Sequence, residues 1–518
     1  MATDVQSNTI TFTTTNPAIA KLLELDHEIA DLGQVAALAS WDQQTQMSMD
    51  ANNVRGSQLG TIQTVIHQRI TAPEHGEAIA QAEAAINGAL AQFTDADRGL
   101  VRKARREYDE AVKIPAAFIA ELATVTADAW EKWMAARQAK DFSIFAPALA
   151  KVTELCRQQA KYLAPDTSPY AALFALYEPG MDLQACLDAL EQVRVATVPL
   201  IKRVQAAQQI DESIIQGDFD TDIEMKLARE MLSVIGYNFD RGRIDLAAHP
   251  FATSIGSPFD VRVTTRTNRA NIGRAIMPVL HEGGHALYEQ GIDEALSRTT
   301  LANGTSLGIH ESQSRFWENI IGRSSFFWQT NFAKVQQSYP EALGSLNADQ
   351  FARALNIVEP SLIRVEADEL TYNLHIIIRV ELELALINGE IEVSALRDLW
   401  NQKCHDYLGI MPPDDVVGVL QDVHWSWGSI GYFATYTLGN LYAAQFTATL
   451  RRTFPDLDAR LAAGETSFIR EWQREQIHRW GSIYNASEIC ERVTGEKLNP
   501  QYFIDYITNK MTALYNLA

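Results

Sequence analysis

Cysteine is nearly absent: four residues, at 156, 186, 404 and 490, in a chain of 518, with no two in a C-x-x-C pair. That excludes a disulfide framework and fits buried free thiols in a reducing compartment. Glycine (28) and proline (17) are also scarce, below averages of about 7% and 5%, which favours long helices over many turns. Basic charge is short as well. Lys and Arg number 44 against 65 Asp and Glu, a formal net charge of −21 that repels phosphate backbones and anionic headgroups, so neither nucleic acid nor a membrane is an expected partner. Every long apolar run is broken by charge, the stretch 370–387 included, and the opening MATDVQSNTITFTTTNPAIA has no basic segment followed by an apolar one, so export or anchoring is not expected and the location is read as cytoplasmic. What is present, 47% hydrophobic and 21% charged residues, describes an ordinary globular protein.

Between residues 18 and 160 the apolar positions recur at threes and fours, as in Ile19, Leu22, Leu23, Leu25, Ile29 and Leu32, the pattern of amphipathic helices. Pro165 and the Pro179-Gly180 pair interrupt this patterning, which resumes at 183–210 and 223–235. Residues 241–271 differ: Gly242, Pro250, Gly256 and Pro258 precede an alternating DVRVTT that places Val261 and Val263 on one face of a strand. Beyond it, 274–290, 311–329, 363–387 and 432–451 read as helices. A mainly α fold in one domain, 1–518, follows: helical scaffold to about 240, and a metal and substrate site within about 241–518. Two lobes around a groove would be one form of it.

His281-Glu282-Gly283-Gly284-His285 is an HExxH sequence set in a helical stripe of Ile276, Val279, Leu280 and Leu287. On a helix the two histidines, four residues apart, project from one face and can bind one zinc ion, while Glu282 beside them can hold a water. The bland alternative is a surface helix with two unrelated histidines. Gly283 and Gly284 each weaken a helix by about 1 kcal/mol relative to Ala, which points to a substrate or a neighbouring helix approaching the backbone. A hydrolytic zinc site needs a third protein ligand. His310, Glu311, Glu294 and Glu318 are the nearby choices, and spacing does not select among them.

HPF at 249–251, DVRVT at 260–264, HEGGH at 281–285, HESQ at 310–313, IRVEAD at 363–368 and GVLQDVHW at 418–425 stand in this order. Together they resemble the thermostable metallocarboxypeptidase family, also called carboxypeptidase Taq. WDQQTQM near Trp41, YEPGM at 177–181 and the C-terminal WGSIYNASEICERVTGEKLNPQYFIDYI are similar to it too, so the resemblance spans nearly the whole chain. It implies a neurolysin-like helical metallopeptidase fold with a deep central groove and a small β-element beside the active site, and a homodimer. It implies release of single C-terminal amino acids from peptides bearing a free C-terminal carboxylate. It implies one divalent metal ion per chain, zinc by default, with cobalt able to occupy a similar site, held by His281, His285 and Glu311. Glu282 is then the general base. Arg364 is implied as the partner of the substrate carboxylate, a task suited to a planar guanidinium, with Gln421 and His424 gripping the same end. Tyr432 and Tyr436 are the implied donors to the oxyanion, Tyr432 favoured slightly.

The residues by themselves also admit plainer roles. Arg364 could form a structural ion pair with Glu366, Asp368 or Glu369, His424 could be a core histidine, and the tyrosines core or rim aromatics. Asp260 could orient the metal-binding histidines, or Asp260 and Arg262 could form a structural corner. An endopeptidase or oligopeptidase with the same HExxH site, or a helical binding scaffold without turnover, are the alternative functions.

Overall fold

The computed structural model describes residues 9–517; residues 1–8, part of the opening segment discussed above, lie outside the described residues. Helices predominate, joined to a single three-stranded sheet among the described residues, as the shortage of glycine and proline leads one to expect. The chain divides into two compact units. One comprises Met1–Val112, Phe219–Thr305 and Glu465–Asn485; the other comprises Lys113–Asp218, Ser306–Gly464 and Ala486–Ala518. Each is assembled from separate stretches of sequence.

In the first unit the helix Pro17–Thr45 starts at Asn16, whose side chain accepts from the N–H groups of Ala18 and Ile19, satisfying donors that the first turn leaves open. It buries Ile19, Leu22, Leu23 and Ile29, the stripe visible in the sequence. The sheet consists of β1 (Ile244–Leu246), β2 (Ala252–Ser254) and β3 (Val261–Thr265). β3 lies centrally, parallel to β1 and antiparallel to β2, with Val263 opposite both Ile244 and Ala252. Val261 and Val263 are fully buried, as their alternation requires. The sheet packs on the helix Ile272–Gly291, which begins at Asn271, whose Oδ1 accepts from Arg274 N at 3.1 Å.

In the second unit one expected helix is interrupted, one is shorter and one is displaced by two residues. The stretch read as one helix over 311–329 is Leu307–Arg315, then a π-helical turn Phe316–Ile321, then a fresh start at Ser325–Ser338. The break falls where Trp328 Nε1 takes the Gly322 carbonyl at 2.7 Å, an acceptor that a continuous helix would have used itself. The helix expected from 363 begins at Tyr372, preceded by a short 3₁₀ turn at Arg364–Glu366. Asp368 is the cause: its carboxylate accepts from the N–H groups of Leu370 and Thr371 and from Thr371 Oγ1, at 2.9, 3.0 and 2.7 Å, a local alternative to the helical ladder. The helix expected from 432 runs over Ala434–Thr453, leaving Tyr432 just outside its first turn.

YEPGM acts at the start of the Leu307–Arg315 helix. Leu307 N donates to the Tyr177 carbonyl at 3.4 Å, and Gly308 N donates to Oε1 of Glu178, a fully buried carboxyl. Burial pushes Glu178 up to about 8 from 4.5, against the opposing hydrogen bonds from Gly308 and Ser306. The folded chain therefore holds a proton that the unfolded chain releases near 4.5, and this group's contribution to stability, complete at lower pH, is lost as pH rises through about 8. Glu178→Gln is expected to remove that part of the decline, which thermal unfolding midpoints recorded between pH 4.5 and 8 would show as a flatter slope than the native protein's. An unchanged slope would mean that Glu178 does not titrate in this window.

Candidate active site

The HExxH sequence lies in the middle of the Ile272–Gly291 helix. The rings of His281 and His285 stand edge to face with centroids 5.0 Å apart, and Glu282 between them in sequence is buried. Gly283 is explained by a neighbouring helix: a Cβ there would fall within 2.8 Å of Leu232 and closer still to Ile235, both buried on the Thr221–Ile235 helix. The HExxH helix is thus seated at a distance only glycine permits. On the adjoining sheet both oxygens of Asp260 accept from Arg262, at 3.0 and 2.8 Å, and the Arg262 guanidinium lies 4.3 Å from the Trp41 ring. Asp260 therefore belongs to a structural corner and not to the orientation of the histidines. Thr264 of DVRVT clamps HPF, donating through Oγ1 to Phe251 O and accepting from Phe251 N.

Glu311 lies on the Leu307–Arg315 helix, buried. Its Oε1 accepts from Arg315 Nε at 2.6 Å and its Oε2 from Ser314 Oγ at 3.1 Å, so the carboxylate is oriented by its own helix. Gly439 leaves room for it: a Cβ there would lie 2.7 Å from Glu311 Cβ. Among the described residues one group of three offers ligand atoms suited to a metal ion, a nitrogen each from His281 and His285 and a carboxylate oxygen from Glu311, all within 4.8 Å of one another. Two imidazoles and a carboxylate fit a divalent ion of the zinc type. Of the other third-ligand choices, Glu294 pairs with Arg241 at 2.8 Å and is exposed, while Glu318 pairs with Arg315 at 3.2 Å. His310 joins no such group among the described residues.

Arg364, Gln421, His424, Tyr432 and Tyr436 form one cluster. The Arg364 guanidinium is buried, 4.9 Å from the centre of the Tyr436 ring. It donates through Nε and Nη2 to Asp422 Oδ1, at 3.1 and 3.0 Å, and through Nη1 to Tyr372 OH at 3.3 Å. Its ion partner is therefore Asp422, not the sequence-adjacent Glu366, Asp368 or Glu369. Asp368 caps its own turn, and Glu369 accepts from Tyr506 and Lys510 of the C-terminal helix Gln501–Tyr515. Three of the five guanidinium N–H groups are engaged in these contacts, leaving one on each terminal nitrogen for a further carboxylate. Gln421 accepts from Arg364 N at 3.0 Å and donates to the carbonyls of Leu362, Val417 and Gly418. It holds the arginine's turn in place.

Asp422 also receives Arg379, whose Nε lies 2.6 Å from Oδ2 and whose side chain is fully buried. Burial alone would raise the Asp422 pKa, but the two guanidiniums and His424 hold it well below the carboxylate range. His424 lies beside the pair, its Nδ1 4.0 Å from Asp422 Oδ1. Burial lowers its pKa to about 4, Arg364 and Arg379 adding to the effect and Asp422 opposing it, so the ring is neutral at neutral pH. It contacts the rings of Phe433 and Tyr432, with centroids at 4.6 and 5.3 Å. Tyr432 and Tyr436 stand 5.5 Å apart, and burial raises both phenols above their ordinary value, keeping them protonated donors.

A model of the family described as carboxypeptidase Taq (M32) metallopeptidase matches residues 21–511. The chain belongs to that family. It is a metallocarboxypeptidase, a hydrolase acting on peptides. Carboxypeptidase 1 of Bacillus subtilis is 40% identical over 498 residues, 96% of this chain and 98% of the relative. Thermostable carboxypeptidase 1 of Thermus thermophilus is 40% identical over 513 residues, 97% of this chain and all of the relative. The crystal structure of M32 carboxypeptidase from Deinococcus radiodurans R1 superposes with a TM-score of 0.93 at 36% identity, covering 97% of this chain and 100% of that one. The mainly α fold with its small sheet beside the HExxH helix is the family's. No helix among the described residues is long and apolar enough to cross a membrane.

Sequence reasoning gave no site role to Arg315, Tyr372, Arg379 or Asp422, which the structure places against Glu311, Arg364 and one another. A signal was there: Tyr372, His375, Arg379 and Glu383 follow one another at three, four and four residues inside an apolar helix, a polar stripe on one buried face. Asp422 is the member whose loss has the clearest consequence. Asp422→Asn leaves two buried guanidiniums facing a neutral amide, and urea unfolding is expected to show a loss of about 3–5 kcal/mol. A loss below about 1 kcal/mol would mean that solvent, not Asp422, compensates the arginines.

Proposed function

We propose that His281, His285 and Glu311 hold one divalent metal ion, zinc as the resident species with cobalt able to occupy the same donors, and that Glu282 is the general base. The observation that carries this reading is the ligand group itself, two imidazoles four residues apart and a buried carboxylate with ligand atoms within 4.8 Å. When bound, such an ion acts as a Lewis acid that makes a water acidic near neutral pH and polarises a carbonyl. Glu282 accepts the proton of the attacking water on its carboxylate and later delivers it to the leaving nitrogen. Arg364 pairs with the C-terminal carboxylate through its two remaining N–H groups and so sets the register at the last peptide bond. Its fixed attachment to Asp422 and Gln421 supports that role, because a guanidinium already held in place loses little freedom on binding. His424, neutral, donates to a peptide carbonyl, and Gln421 serves the substrate end by keeping Arg364 in its turn. Tyr432, or Tyr436 beside it, donates its phenolic proton to the developing oxyanion.

A cytoplasmic location is proposed on the four free, buried cysteines, whose thiols burial pushes up, Cys156 and Cys490 to about 12, and a homodimer on the family resemblance alone. Glu282→Gln is expected to keep its metal, measured by elemental analysis, while turnover of a short peptide falls by about 10²–10⁴-fold. Near-native turnover would remove Glu282 from the general-base role. The Arg364 assignment is tested with a peptide and its C-terminally amidated twin. Native enzyme should prefer the free acid by about 10²-fold or more in kcat/KM, and Arg364→Gln should shrink that preference toward unity. A preference that survives in Arg364→Gln would place carboxylate recognition elsewhere.

A further inference from the structure

Glu383 is fully buried on the Tyr372–Asn388 helix and has no assigned task. Its two oxygens are engaged by three donors. Trp425 Nε1 donates to Oε1 at 2.8 Å, while Gly431 N and Tyr170 OH donate to Oε2 at 3.0 and 3.3 Å. Trp425 and Gly431 are the residues immediately inside His424 and Tyr432. The stretch between them is a 3₁₀ turn, His424–Trp427, followed by a return in which Ser429 N donates to His424 O at 3.0 Å. It closes on itself, bringing the rings of His424 and Tyr432, eight residues apart in sequence, to 5.3 Å. Gly431 needs glycine twice over, at φ +87° and with Phe174 N only 2.8 Å from where a Cβ would stand, so the loop's exit is pinned against a backbone as well as against Glu383.

We propose that Glu383 is a positioning residue of the carboxypeptidase reaction: one buried carboxylate ties the two ends of the 424–432 loop to the helix that carries Tyr372 and Arg379, and thereby aims His424 and Tyr432 at the substrate end held by Arg364. The inference rests on the roles proposed above for His424 and Tyr432. Glu383 does not touch the substrate. A hydrogen-bonded carboxylate accepts from both loop ends at once, whereas an amide in its place offers one acceptor and one donor group, and one loop end faces a donor instead of an acceptor.

The test uses metal-replete full-length enzyme and initial rates of C-terminal residue release from one peptide, comparing Glu383→Gln, Trp425→Phe, His424→Gln and the double variant Glu383→Gln/His424→Gln. Glu383→Gln and His424→Gln are each expected to raise KM by about tenfold or more, the double variant being no worse than the worse single one, because both act through the same contact. Trp425→Phe, which removes only the Oε1 donor, should shift KM in the same direction and less. Metal content should stay at the native level throughout. An unchanged KM in Glu383→Gln, with kcat reduced only in proportion to the folded fraction, would reduce Glu383 to a structural residue. Multiplying effects in the double variant would also overturn the proposal. A native KM in His424→Gln would instead sink the role of His424, and the positioning route with it. If Glu383→Gln does not fold, Trp425→Phe decides: an unchanged KM there overturns the inference.

Discussion

Two arginines and one aspartate, buried together, set the terms for the cluster proposed to hold the substrate end. Arg379 is fully enclosed and Arg364 nearly so, and both donate to Asp422. Placing these charges away from water costs several kcal/mol per ion, which only good geometry and complete hydrogen bonding can offset. Asp422 supplies that geometry by giving one oxygen to each guanidinium. The protonation of the neighbourhood follows. Burial and two nearby cations keep His424 neutral despite the carboxylate at 4.0 Å, so the ring can act as a donor or acceptor without carrying charge.

That arrangement hangs from one helix. Along Tyr372–Asn388, Tyr372 meets Arg364, Arg379 meets Asp422, and Glu383 meets Trp425, Gly431 and Tyr170. The ring of Tyr372 also lies 4.1 Å from the guanidinium of Arg315, which orients Glu311. A metal-ligand candidate and a carboxylate-binding candidate are therefore linked through two side chains on rigid elements. Sites supported in this way hold their geometry because each functional side chain is fixed by a second layer of contacts. Tyr372, Arg379 and Glu383 are tolerated on the buried face of this largely apolar helix because partners stand opposite them.

The motifs that were legible are the local ones. HExxH needs only the 3.6-residue period of a helix to bring His281 and His285 onto one face, and the rings stand 5.0 Å apart as that period dictates. The alternation of DVRVTT placed Val261 and Val263 inside for the same reason, with a period of two. Helix starts were read less well. Apolar periodicity continued across Asp368, but its carboxylate captured the N–H groups of Leu370 and Thr371 and delayed the helix to Tyr372. Periodicity is blind to a side chain that competes with the backbone.

The amino-acid sequence by itself settled the helical class and, through the order of its motifs, the likeness to a carboxypeptidase family, and it nominated the HExxH histidines as metal donors. It could nominate Arg364 without naming its counter-ion, because the acidic residues beside it in sequence are not those beside it in space. Asp422, 58 residues away, takes that place only once the Tyr372–Asn388 helix and the 424–432 loop have packed. Gly283 and Gly439 had their meaning decided in the same way, one by the Leu232 and Ile235 side chains and the other by Glu311. Short-range periodicity is written along the chain, whereas compensation of buried charge and close approach of backbones depend on which distant segments meet, and only the tertiary structure decides that.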